Sequence, residues 1–159
     1  MSIVKKTILL TAAIGIAASV AFAGAHSASP ESKAIKARQA KMTLYSFNLG
    51  ILGAMAKGEQ DYDSGAAGLA AANLAAMSGV WMPGAWLPGT DNESMKGTAA
   101  LPALWEEGST AGAKGQALSE AAAALAKVAG TDLASLQGAI GPVGQACGGC
   151  HKLYRAKPK

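Results

Sequence analysis

The chain has 159 residues, a formal net charge of +4, 15% charged and 50% hydrophobic residues, and two cysteines. That length holds one domain. The nearly neutral balance argues against a nucleic-acid partner.

The first residues read as a secretory signal. Lys5 and Lys6 form a positive region, Thr7 to Val20 is apolar, and Ala21-Phe22-Ala23 places small residues where a signal peptidase cuts. Residues 1–23 are therefore expected to be removed, with cleavage after Ala25 a close alternative, leaving a domain over 24–159. A retained anchor is the competing reading, because the apolar run is near the lower limit for spanning. Export implies a bacterial periplasm and no stable membrane insertion once the signal is gone. The mature chain keeps twelve Lys/Arg (fourteen less Lys5 and Lys6) against ten Asp/Glu. Lys152, Arg155, Lys157 and Lys159 gather at the end, as a solvated terminus or a docking face for an acidic partner.

Abundant alanine with few β-branched and aromatic residues favours helix. The first segment is expected over about Ser32–Lys57, with Ile35, Arg38, Met42, Tyr45, Leu49, Leu52 and Ala56 spaced by threes and fours as a bundle seam. Gly58 is a natural stop. Arg38 is the anomaly, since a charge on an apolar stripe needs a partner. The second segment is expected over about Asp63–Val80, with Leu69, Asn73, Ala76 and Val80 inward and Leu74 and Met77 widening the face. Trp81 to Met95 holds Pro83, Gly84, Pro88 and Gly89 and reads as a long ordered loop. Trp81 and Trp86 are expected to cover one end of the bundle. A third helix is expected over about Thr98–Val128, starting near Leu101 because Pro102 fits only a first turn. Leu104, Leu118, Leu125 and Val128 mark its inner face, and Gly108, Gly112 and Gly115 weaken its first half.

The fourth segment opens at Thr131 or Asp132 as N-cap. Leu133, Leu136, Ile140, Val143, Cys147, Cys150 and Tyr154 form its stripe. Pro142 is expected to kink it. Within it, Cys147-Gly148-Gly149-Cys150-His151 is a C-x-x-C-H pentapeptide, the attachment signature of c-type haem. Two thiols add across the two vinyl groups, and the adjacent histidine becomes the proximal ligand of the iron. A dithiol redox centre would sit in a βαβ pattern, which is missing. A zinc site wants four ligands, and His26, the other histidine, lies near the start of the mature chain. A plain disulfide is the remaining alternative.

A signal peptide, four Ala-rich helices and a C-terminal C-x-x-C-H together resemble the cytochrome c′ family, the class II c-type cytochromes, over essentially the whole mature chain. Cys147 to Arg155 is similar to that family's C-x-x-C-H-x-x-Y/F-R ending. Arg38 followed four residues later by Met42 is similar to its first helix. The resemblance implies an all-α fold, an antiparallel up-and-down four-helix bundle with haem near the C-terminal helix. It implies one covalent haem c between the first and fourth helices, Arg38 meeting a propionate, Arg155 lining the proximal pocket, and Tyr45 and Tyr154 bordering the ring. It also implies redox partner proteins and a homodimer through the first two helices.

Two functional classes divide at Met42. A thioether on the iron gives a six-coordinate, low-spin haem and a one-electron carrier; this is the leading expectation, with His151 and Met42 both metal ligands. If Met42 only packs on the distal face, the iron is five-coordinate and high-spin and binds NO or CO. No enzyme activity is expected, because no second histidine or acid is placed to work on a distal ligand.

Overall fold

The computed structural model describes residues 28–157; the expected signal segment and His26 lie outside them. Four helices follow in order: α1 (Pro30–Lys57), α2 (Ser64–Gly79), α3 (Ala111–Val128) and α4 (Leu133–Tyr154). Each sequence neighbour packs on the next and α4 returns to α1, giving the antiparallel four-helix bundle. None of the helices described is long and apolar enough to cross a membrane.

The helix ends follow from local chemistry. Ser29 Oγ accepts the Ser32 N–H at 3.2 Å, Asp63 Oδ1 the Ala66 N–H at 2.7 Å, and Asp132 Oδ1 the Ser135 N–H at 2.7 Å. Gly58 closes α1 in the left-handed conformation (φ 75°).

The core is built from Leu52 and Met55 of α1, Leu74 of α2, Leu125 of α3, and Leu136 and Val143 of α4. Alanines 67, 70, 71, 122 and 129 fill the spaces between. Small residues let α2 and the end of α3 approach closely. A Cβ on Gly130 would lie 3.1 Å from the Ser64 carbonyl oxygen and 3.3 Å from Gly68 Cα.

Three expectations change. The third helix begins at Ala111, not near Thr98 or Leu101. Residues 97–110 are instead held by tertiary bonds: Leu101 N–H donates to the Tyr154 carbonyl and Ala156 N–H to the Ala99 carbonyl. Pro102–Leu104 forms one 3-10 turn, so Leu104 is not on the inner face of α3, and Gly108 (φ 81°) breaks the chain again. The inward face of α2 is Ala67, Ala70, Ala71 and Leu74, while Leu69, Asn73, Ala76 and Val80 face out. Alanine lies on both sides of that helix, so its amphipathicity is too weak to fix a face from sequence. Trp81 does not cover the bundle; it is 83% exposed. The helix α4 itself runs through Pro142 without a break in its span. The proline deprives the Gly138 carbonyl of its donor, and both residues are exposed where water can replace it.

Candidate functional site

Cys147 and Cys150 lie on the inward stripe of α4, one turn apart, as half-buried free thiols. Burial pushes both thiols above their ordinary pKa, and for Cys150 the neighbouring Cys147 adds to it. His151 follows on the exposed side of the helix. Partial desolvation, and then the charge of Arg155 one turn on, hold its imidazole below the ordinary pKa. A neutral imidazole is the form that ligates a metal.

The α1/α4 pair is the loosest of the four helix contacts. A groove of about 530 Å³ runs between them, lined by Ser46, Leu49, Gly50 and Gly53 of α1 and Ile140 and Gly144 of α4. Gln137 Nε2 donates to the Ala56 carbonyl at 2.8 Å near the lower end and fixes the register. Met42 stands fourteen residues before Ala56, and His151 fourteen after Gln137. Antiparallel helices of equal rise therefore bring the two to the same level, about 21 Å from that bond. Tyr45, close enough to Cys147 to feel its charge, agrees with this register. Tyr45 is buried, and burial first and Cys147 second push its hydroxyl up to about 12. Met42 is 37% exposed.

Arg38 is buried as its stripe position predicts, at 5% exposure. Its partners come from the loop after α2. Nη1 donates to Thr90 Oγ1 at 2.6 Å and to the Ala85 carbonyl at 3.3 Å. Nη2 donates to the Thr90 carbonyl and, at 2.7 Å, to Thr98 Oγ1. The guanidinium carbon lies 5.5 Å from the Trp86 ring centroid and 5.7 Å from that of Trp105. Trp105 Nε1 in turn donates to the Trp86 carbonyl at 2.9 Å. Burial lowers the Arg38 pKa, and Asp91 opposes that shift. Trp105 and Thr90 escaped the sequence reading because nothing local links them to Arg38.

Tyr154 is buried, and its hydroxyl accepts the Thr110 N–H at 2.8 Å and shares a 3.0 Å bond with Thr110 Oγ1. It ties the end of α4 to the start of α3. Arg155 is exposed. Among the described residues no three His, Cys, Asp or Glu side chains gather as a bare-metal cage, so the zinc alternative finds no site there. The residues do fit a haem c: paired half-buried thiols one turn apart on the inward stripe of α4, a turn beyond Gly144 where the groove ends, with a histidine directly after them.

An all-α bundle with a C-x-x-C-H motif on its last helix, opening on the gap to its first, defines a class II c-type cytochrome. Residues 33–155 match the family model described as Cytochrome C′. The chain is 44% identical over 123 residues to cytochrome c-554 of Cereibacter sphaeroides, covering 77% of this chain and 80% of that one. A solved cytochrome c′ from Rhodobacter sphaeroides superposes with TM-score 0.78 at 38% identity, covering 82% of this chain and all of the other. The nitric oxide complex of a mutant cytochrome c′ from Alcaligenes xylosoxidans superposes with TM-score 0.69 at 32% identity, covering 83% and 99%. The chain belongs to the cytochrome c′ family and is a haem c protein with an electron-transfer cofactor.

Proposed function

We propose that Cys147 and Cys150 carry one haem c through two thioethers, that His151 supplies the proximal nitrogen, and that the distal face stays open to NO and CO with Met42 packed over it. The likeness to a cytochrome c′ solved as its nitric oxide complex carries this reading. The loose α1/α4 contact agrees with it, as does a Met42 side chain more than a third exposed. A ligand built into a site is held by its neighbours; this thioether has few.

When bound, the haem supplies a one-electron Fe(III)/Fe(II) couple and an axial position for a diatomic ligand. The chain's residues set the surroundings. Arg155 stands beside the imidazole and acts by fixed charge and hydrogen bonding. Tyr45 borders the ring from α1. Tyr154 packs at the same end, with its hydroxyl committed to Thr110. Arg38 lends charge to a propionate; Ala85, Thr90 and Thr98 already hold its four terminal N–H donors, so only Nε–H is left to give.

A second reading has its own observation. Met42 stands level with His151 across the gap, where a sixth ligand belongs. On that reading the protein is a low-spin electron carrier for redox partner proteins, with no other role for the distal face. Neither reading requires a substrate to be transformed, so we class the protein as a carrier or gas binder and not as an enzyme. Residues 1–23 act as the export signal and the working compartment is the periplasm. Leu44 and Phe47 of α1, Leu69 of α2 and Val80 just after it leave large apolar surface in water, with Phe47 and Leu69 each 65% exposed. We assign that face to a homodimer.

The test is the visible spectrum of the reduced protein with and without CO. A broad high-spin spectrum that shifts with CO supports the open site. Sharp split bands indifferent to CO support Met42 ligation and end the gas-binding reading.

A further inference from the structure

Lys114 is half-buried on the first turn of α3. Its side chain lies across the attachment motif: a Cβ built on Gly149 would be 3.8 Å from Lys114 Nζ and 4.0 Å from its Cδ. The lysine thus runs along the Gly149 side of the motif at ordinary van der Waals distance. Among the described residues the ammonium has no carboxylate within 4 Å, and Lys57–Glu59 is the ion pair that forms. Among the described residues it donates no hydrogen bond to a protein group either, while the nearby hydroxyls of Thr110 and Tyr154 are paired with each other. Its charge is felt at Cys150, where it opposes the effect of burial.

The charged side chains of the protein that act on the motif are of one sign. Lys41 Nζ lies 5.7 Å from the centroid of the Tyr45 ring, which adjoins Cys147. Arg155 acts on His151. No carboxylate contributes to the electrostatics of Cys147, Cys150 or His151. A simple structural account of Lys114 is a stem laid over a glycine with its head reaching for water. That account explains the contact with Gly149, but it gives the missing counter-charge no consequence.

We propose that Lys114 tunes the haem: its unpaired ammonium, held against the Cys147–Cys150 turn, favours the reduced iron and raises the midpoint potential. The inference rests on haem c being attached at these cysteines. Reduction adds one electron to Fe(III) and lowers the charge of the centre by one, so a fixed cation beside it stabilises the product more than the reactant. Through a medium of intermediate dielectric the effect on the reduction equilibrium is roughly tenfold, which for a one-electron couple is about 59 mV.

The experiment is a mediator-poised titration of the purified holoprotein, following haem absorbance. Lys114→Gln is expected to lower the reduction equilibrium constant up to roughly tenfold, Lys114→Glu further, and Lys114→Arg hardly at all. Lys114→Met keeps the stem without the charge and should match Lys114→Gln even if loss of packing lowers the yield of either. A purely structural lysine predicts the opposite: lower melting temperatures in all variants with no ordered change in midpoint. Unmoved midpoints in Lys114→Met and Lys114→Glu, with a wild-type pyridine haemochrome, overturn the role of Lys114 alone. A wild-type haemochrome without two thioethers overturns the haem assignment beneath it.

Discussion

The two sides of this bundle are packed by different rules. Where α2, α3 and α4 meet, alanine and glycine bring backbones close and the interior is sealed: Ala67, Ala71, Ala122, Leu125 and Ala129 are wholly buried. Where α1 meets α4, the contacting residues are mixed in size, the thiols are half-exposed and a groove remains. A four-helix bundle can close on all sides with small residues. One side left loose, with the reactive side chains on it, shows the division of labour: three interfaces, with Leu52 and Met55 of α1 among their buried residues, supply stability and the fourth supplies room.

Substitutions should separate along that line. The largest effect belongs to the open side. His151→Ala is expected to abolish the native absorption spectrum, and Cys150→Ala to leave at most one thioether, read from the pyridine haemochrome. Either variant with a wild-type spectrum would refute its assignment. On the sealed side, Leu125→Ala should cost about 2–5 kcal/mol in denaturant unfolding while leaving the spectrum of the folded protein untouched. A spectral change there would show that the two sides are not independent. Gly130→Ala should cost about 1–3 kcal/mol, because its Cβ has only backbone to press on.

Met42→Leu is milder in stability, under about 1.5 kcal/mol, and it sharpens the functional question. The reduced spectrum stays as it was if the site is open, and turns high-spin if the thioether is a ligand. The smallest effect is a pH effect at a cap. The Ser135 amide hydrogen bond holds the Asp132 carboxyl below its ordinary value of 3.8. A lowered folded pKa stabilises above the unfolded value and is lost as pH falls through the folded one. The melting temperature should therefore drop between pH 5 and pH 3, and by less in Asp132→Asn, which caps without titrating. Equal drops would remove Asp132 from the acid response.

Much of this was legible in the chain. The cap at Asp132, the stop at Gly58 and the three-four spacing of α1 and α4 are local signals. So is the motif at Cys147–His151, because ligand spacing on a helix is a property of sequence. What stayed hidden is set by distant residues. The stretch from Thr98 to Thr110 carries helix-compatible residues, but Tyr154 and Ala156 draw it into pairing with the end of α4. Leu69 and Leu74 look alike in an alanine-rich helix, and only the neighbours decide which is buried. Trp86 and Trp81 differ in the same way. Arg38 announced that it needed a partner, and the partner proved to be a loop some fifty residues on.

That loop has no hydrophobic core of its own, yet one guanidinium holds it at Ala85, Thr90 and Thr98 from between two indole rings. Its opening is therefore tied to α1. Hydrogen exchange should report the segment from Ala85 to Thr98 and the first half of α1 as one cooperative unit, released together, so that the loop is expected to last as long as the helix that carries Met42.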